Sequence, residues 1–300
     1  MEIILKDVVK KYKNTVAADG ISLEIEKGDV YGIIGPNGAG KTTIMEIMLG
    51  LRKQDSGSVT IKGMDNVRDH KRLVYTVGAQ LQQSELPANI KVREALALQA
   101  GIFGVKPDID SLLADFNLSD KAGAYCSKLS GGQKQRLFIL LAVIHDPEIV
   151  FFDELSTGLD PVSRQDVWNY VRKLSERGKT IIVSTHYMHE AEEICGHVAL
   201  INKGRVVDTG TPRQLMEKLP FSRVISFESS AGHQRIRQAL EKVRGFVDTE
   251  LMPDGKYRVF ADDAFAVDDM GRGLLPDIRG LQMRESSFED YFYYKVRVKG

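Results

Sequence analysis

Short apolar runs that end in glycines or polar residues recur along the first two thirds of the chain. Val30–Gly35 reads VYGIIG, a buried strand running into a turn, and KTTIMEIMLGL follows it as a helix. Ile149–Glu154, IVFFDE, is a continuous apolar run closed by two acids. That pattern predicts a strand of a parallel sheet, covered on both faces, with its carboxyl end at a site. Thr180–His186, TIIVSTH, repeats it. Between the two, VSRQDVWNYVRKLSERG has helical periodicity and a closing glycine, Gly178. Strands alternating with helices predict an α/β fold around a parallel sheet, with ligands gathered beyond the carboxyl ends of the strands. From about Glu85 to Leu141 the alternation stops. VREALALQAGIFG and DIDSLLADFNL are both helical in pattern, so about 85–141 is expected to form an inserted helical subdomain.

The pattern changes again after GTPRQLMEKLP, which divides the chain into a first domain, 1–218, and a smaller accessory domain, 219–300. The second reads strand (Arg223–Glu228), helix (Gly232–Val243), strand (Phe246–Met252), a Pro253-Asp254-Gly255 turn, and strand (Tyr257–Ala261). A helical run opening at Asp262 and Asp263 and a strand near Leu281 complete the order of a small α+β, ferredoxin-like βαββαβ module. Ser287-Phe288-Glu289-Asp290 has the form of a capping box, and Phe288, Tyr291 and Phe292 share one face of the helix it would open.

Composition narrows the possibilities. Lys+Arg and Asp+Glu both number 41, so no net basic field argues for a nucleic-acid partner. Cys126 and Cys195 lack metal-ligand spacing and are expected as reduced thiols. No apolar run approaches the roughly 18 residues of a membrane span. The opening MEIILKDVVKKYKN is too charged for a signal peptide. Any role at a membrane then requires a partner that supplies the spans.

The chemistry begins at Gly35-Pro36-Asn37-Gly38-Ala39-Gly40-Lys41-Thr42, which fits G-x-x-x-x-G-K-[ST] between a strand and a helix. Such a P-loop closes backbone N–H groups on phosphate oxygens at a helix N-terminus. Lys41 reaches the β- and γ-phosphates, the Thr42 hydroxyl ligates Mg²⁺, and Thr43 adds a phosphate contact. Asp153, ending its apolar strand, is placed to hold Mg²⁺ through water. Alternation turns Glu154 elsewhere, toward the γ-phosphate and an attacking water. His186 ends the next strand and is placed to sense the γ-phosphate. A lone histidine is more often structural, and only its neighbours reverse that reading; His189 is expected at the surface.

A second glycine turn, Leu129-Ser130-Gly131-Gly132-Gln133, also has the look of a phosphate holder. Together with the motifs above, over roughly Met1–Pro220, the chain resembles the nucleotide-binding subunit of ABC transporters, whose signature LSGGQ it carries unchanged. The resemblance implies ATP and Mg²⁺ as cofactors and a P-loop NTPase sheet. It implies that Tyr12 stacks on adenine, that Ser130, Gly131, Gly132 and Gln133 face the γ-phosphate of an ATP held by another subunit, and that Asp160, in Ser156-Thr157-Gly158-Leu159-Asp160, bridges to that subunit. A glutamine reaching Mg²⁺ or the water is expected among Gln80, Gln82 and Gln83, with the spacing to VREAL favouring Gln82. Leu155-Ser156 departs from the family's usual Pro-Thr or Pro-Ser, and Lys91 stands where a capping threonine is common. Neither change removes a catalytic group.

Two chains packed head to tail would then bury ATP between the P-loop of one and LSGGQ of the other. The expected partners are a second such subunit, as a homodimer, and an integral membrane permease. The expected location is the cytoplasm, on the inner face of the cell membrane. The tail ending SSFEDYFYYKVRVKG resembles the extension of ABC-2 type exporter ATPases and points to export. The alternative is a soluble ABC ATPase. A repair ATPase would need a long heptad insertion, a translation factor usually two cassettes and a basic linker. An iron–sulfur assembly ATPase stays open. A P-loop kinase leaves LSGGQ unexplained.

Overall fold

The computed structural model describes residues 1–82, 85–265 and 278–298. The chain divides into two compact units, the first Met1–Pro212 and the second beginning at Arg213. The division falls six residues before the boundary expected at 218/219.

The first unit contains two sheets. One is antiparallel, in the order β2-β1-β4-β5, with β1 Ile3–Tyr12, β2 Thr15–Ile25, β4 Ser56–Ile61 and β5 Met64–Asp65. The other has six strands in the order β10-β9-β3-β8-β7-β6. Its members are β3 (Val30–Ile34), β6 (Val77–Gln80), β7 (Ile149–Asp153), β8 (Thr180–Thr185), β9 (His197–Asn202) and β10 (Arg205–Gly210). All pairs are parallel except the β9–β10 hairpin. Every residue of β3, β7 and β8 is buried, as continuous apolar strands of a doubly covered parallel sheet require. Helix α1, Lys41–Met48, buries Ile44, Met45, Ile47 and Met48 in a core shared with Ile3, Leu5, Ile33, Val59 and Phe151. The α1 spacing is one apolar helix face, and it seats the loop before it against both sheets.

The sequence pattern carried no expectation for the antiparallel sheet. In β1, Ile3 and Leu5 alternate inward, but the next buried residue is Val8. A register shift intervenes, and Asp7 has a left-handed φ of 48°. The bulge breaks the two-residue period by which a strand is recognised.

Helices α2 (His70–Thr76), α3 (Val92–Phe103), α4 (Ile109–Asp115) and α5 (Gly131–Val143) follow, the last three in the segment expected to be helical. Lys91 offers no capping oxygen to α3, but the Glu94 carboxylate accepts the Lys91 N–H at 3.0 Å and closes half of a capping box. Helices α6 (Pro161–Glu176) and α7 (Met188–Ile194) complete this part of the chain, and α8 (Pro212–Met216) begins at its last residue and runs into the second unit.

The second unit holds a four-stranded antiparallel sheet, β12-β13-β11-β14, from β11 (Arg223–Glu228), β12 (Phe246–Leu251), β13 (Tyr257–Ala261) and β14 (Arg279–Glu285). Helix α9, His233–Leu240, packs Ile236 and Leu240 on Ile225, Phe227 and Val259. This order of strands is that of a ferredoxin-like sheet. The helical run expected after Asp262 and Asp263 lies outside the described residues from residue 266 onward. Helix α10, Phe288–Tyr293, opens at Ser287, whose N–H donates to Asp290 Oδ2 at 2.8 Å. Phe288 and Tyr291 are buried, while Phe292 is only half-buried.

Candidate active site

Strands β3, β8, β7 and β6 are neighbours in one parallel sheet, so their carboxyl ends open on one edge. The loop after β3 runs from Gly35 to Gly40, and α1 starts at Lys41. Gly40 has a φ of 107°, and a Cβ there would stand 2.1 Å from the Ala17 carbonyl oxygen of β2. Only glycine fits on both counts. Asn37 and Gly38 are exposed at the tip. Lys41 is buried, and its Nζ donates to Gly35 O at 2.9 Å and Pro36 O at 3.1 Å. Burial lowers the Lys41 pKa, against the attraction of Glu154 and Asp153. The ammonium thus lies under the loop, partnered by its carbonyls, where an anion would be the better partner. The first-turn amides of α1, Lys41, Thr42 and Thr43 among them, have no intrahelical acceptor and carry the positive end of the helix dipole.

Asp153 closes β7 and is 1% exposed. Burial raises its pKa, opposed by hydrogen bonding from Ser184 and Thr42. The Ser184 hydroxyl donates to Oδ1. Oδ2 is buried without a hydrogen-bond partner of good geometry. An orphaned carboxylate oxygen beside a threonine hydroxyl and a phosphate loop is the donor set that Mg²⁺ uses with nucleotides. Among the described residues no group of three or more His, Cys, Asp or Glu forms a protein-only metal cage.

Glu154 leaves the strand in the left-handed region, φ 53°. Its amide donates to Ser184 O at 3.1 Å and Ser184 Oγ at 3.2 Å. This turn aims its carboxylate at residues from two other strand ends. Gln82 Nε2 donates to Oε2 at 2.9 Å, and His186 Nδ1 stands 3.2 Å from Oε1. Gln82, Glu154 and His186 therefore meet, although they lie far apart in sequence. Gln80 is buried and bonds instead to Leu81 O and Gln135. Gln83 lies outside the described residues. Leu155 and Ser156 are both fully buried beneath this turn.

The second glycine turn is built differently. Ser130 is the N-cap of α5: its Oγ accepts the Gln133 N–H at 3.3 Å, and its own N–H donates to Gln133 Oε1 at 3.0 Å. A Cβ on Gly132 would stand 2.6 Å from Ser163 Oγ, so close packing on α6 requires that glycine. Gly131 is exposed, and a Cβ there would meet nothing within 4 Å. Packing within the chain does not explain it. Among the described residues no hydrogen bond links Ser130–Gln133 to Gly35–Thr43. Asp160 is the N-cap of α6, accepting from Val162 and Ser163 N–H, each at 3.0 Å.

Tyr12 ends β1, half-buried, five residues before the Ala17 that abuts Gly40. Arg52 lies 5.2 Å and Lys10 5.7 Å from its ring centroid. The ring is a cation-bearing platform near the loop. Sequence reasoning missed Ser184, which sits in the quoted run VSTH two residues before His186. Nothing in that run marks it as a partner of Asp153.

A parallel sheet with a P-loop, a buried carboxylate for a cation and an acid poised beside it defines a nucleotide-hydrolysing protein. The profile of the family described as "ABC transporter" matches residues 18–157. A Nod factor export ATP-binding protein I of Burkholderia pseudomallei (strain 1710b) is 37% identical over 220 residues, 72% of this chain and 72% of that protein. The protein of the same name from Rhizobium etli is 35% identical over 237 residues, 77% of this chain and 75% of its own. A solved dimeric ATP-binding cassette, in a post-hydrolysis state with ADP and Pi, has 27% identity and a TM-score of 0.64, covering 70% of this chain and 98% of its own. The chain belongs to the ABC transporter family, as an ATP-binding subunit. It is an ATPase that powers transport.

Proposed function

We propose that this subunit works as a homodimer that drives export through a separate integral membrane permease, with each ATP held between the P-loop of one copy and the Ser130–Gln133 turn of the other. The observation that carries the shared site is the state of that turn. Its serine and glutamine satisfy each other, Gly131 is bare without a packing reason, and no bond ties it to its own P-loop. It is a helix N-terminus still owed an anion.

In this reading Asp153 and the Thr42 hydroxyl would hold Mg²⁺, which would supply charge neutralisation on the phosphates. Lys41 exchanges the Gly35 and Pro36 carbonyls for phosphate oxygens. Tyr12 supports adenine. Glu154 orients the attacking water and takes its proton, while Gln82 and His186 fix its carboxylate and meet the γ-phosphate side of the site. Asp160, already capping α6, meets the partner copy. Loss of the γ-phosphate removes the bridge between copies and opens the dimer.

Export is supported by the curated relatives, whose names are those of export proteins. Among the described residues no helix is long and apolar enough to cross a membrane, so the permease brings the spans. Its docking place is an apolar groove of about 230 Å³ lined by Leu73, Val74, Val77, Phe103 and His145. Leu98 and Ile102, at i and i+4 on α3, are 57% and 63% exposed beside it. A short apolar helix of the permease fits such a surface. The subunit then sits on the cytoplasmic face of the membrane through that contact.

The test is complementation. Lys41→Ala removes the phosphate cation and Ser130→Arg blocks the second turn, so each variant homodimer is nearly inactive. A mixed dimer has one site with both lesions and one with neither. Mixing the two, with the permease where dimerisation requires it, restores part of the ATPase activity. Confirmed mixed dimers with no restored activity would refute the shared site.

A further inference from the structure

Asp153 and Ser184 are register partners in the adjacent parallel strands β7 and β8, so their side chains leave the sheet on the same face. Ser184 is fully buried. Its hydroxyl is spent twice, and in opposite senses. The proton goes to Asp153 Oδ1, and the oxygen accepts the amide N–H of Glu154 at 3.2 Å. The Ser184 carbonyl takes the same amide at 3.1 Å. The hydroxyl therefore joins the carboxylate offered to the cation with the backbone of the residue offered to the water.

Each bond has a consequence. With Oδ1 pinned, the Asp153 carboxylate cannot rotate freely, and Oδ2 is left as the buried oxygen without a hydrogen bond of good geometry. With its amide held from two directions, Glu154 keeps the left-handed turn that brings its side chain to Gln82 and His186. An apolar residue at 184 would leave Oδ1 buried and unbonded and would halve the anchoring of that amide. Carboxylates that hold a metal are commonly oriented by such outer hydrogen bonds.

We propose that Ser184 is a positioning residue for ATP hydrolysis, its hydroxyl fixing the Asp153 carboxylate and the Glu154 backbone relative to one another. The proposal rests on the reading of Asp153 and Glu154 given above. The test uses the full chain in five forms: wild type, Ser184→Ala, Asp153→Asn, and the shape-matched pair Ser184→Thr and Ser184→Val. Nucleotide binding in EDTA reports folding and an intact P-loop. Mn²⁺ affinity of the complex with a non-hydrolysable ATP analogue, read by electron paramagnetic resonance, reports the carboxylate. Steady-state ATPase activity reports kcat and KM.

Ser184→Ala is expected to bind nucleotide in EDTA like wild type, to bind Mn²⁺ about 10-fold more weakly, and to lose about 10–100-fold in kcat with KM little changed. Ser184→Thr, which keeps the hydroxyl, recovers most of both losses, and Ser184→Val does not. If the extra methyl prevents folding of that pair, the Ser184→Ala measurements decide alone. Wild-type Mn²⁺ affinity and kcat in Ser184→Ala overturn the proposal, as does a loss confined to thermal stability. If Asp153→Asn weakens Mn²⁺ and Ser184→Ala does not, only the role of Ser184 falls. If neither weakens it, the assignment of Asp153 falls as well.

Discussion

Replacing Glu154 by glutamine separates holding the site from doing the chemistry. Its carboxylate accepts from Gln82 at 2.9 Å and faces His186 Nδ1 at 3.2 Å. A glutamine of the same shape keeps both contacts. Its oxygen accepts from Gln82, and its NH₂ donates to the imidazole nitrogen in the tautomer that leaves Nδ1 bare. The left-handed backbone is no harder for glutamine than for glutamate, so folding stability changes by about 0.5 kcal/mol or less. Binding of the nucleotide anion is not weakened, because one of the two carboxylates near the phosphate loop has been neutralised. The amide has no place for a proton, however. Removing a general base costs about 10²–10⁴-fold, which is about 2.7–5.4 kcal/mol on the barrier. Glu154→Gln should therefore bind Mg·ATP at least as well as wild type, turn over about 10²–10⁴-fold more slowly, and elute as a dimer in size-exclusion chromatography with Mg·ATP. Glu154→Ala is the contrasting control. It leaves Gln82 and His186 without their acceptor and also loses stability, by about 1 kcal/mol. A Glu154→Gln protein that stays monomeric with ATP and keeps turnover within a few-fold of wild type would sink the base assignment.

Charging the α3 stripe with Leu98→Asp and Ile102→Asp should leave nucleotide affinity unchanged. It should move the subunit from the membrane to the soluble fraction when the permease is co-expressed, and unchanged fractionation would remove this groove as the docking place. In the second unit Asp290 is 2% exposed. Burial alone raises its pKa, but the bidentate Arg284 and the Ser287 groups outweigh this and hold it below the ordinary value of 3.8. A carboxylate depressed in the folded state stabilises fully above its unfolded pKa and loses that contribution as pH falls through 3.8 toward the folded value. Asp290→Asn should thus lower the melting temperature of the second unit at neutral pH and flatten its dependence on pH below about 5; parallel curves for variant and wild type would refute the linkage.

How much of this was legible in the sequence depends on whether the determining interaction is local. The buried strands Val30–Ile34, Ile149–Asp153 and Thr180–Thr185 announce themselves because both faces are covered, so apolar residues run without interruption. The P-loop is legible because one short segment supplies its glycines, lysine and hydroxyl together. The antiparallel sheet was illegible because a bulge at Asp7 puts β1 out of its two-residue period. For Gln82 spacing was a partial guide. Three glutamines stand within four positions of the sequence, and of the two among the described residues Gln82 is bonded to Glu154, while Gln80, at the end of β6, bonds to Gln135. Ser184 marks the limit. Its run reads as an ordinary buried strand ending near a histidine, and a serine there has no pattern of its own. What gives it a task is the register of β8 on β7, which places it beside Asp153. Register is set by the whole sheet and by the helices that cover it. A residue whose role lies in that alignment becomes visible only when the strands are paired, and its substitution should then disturb the carboxylate it holds before it disturbs the fold.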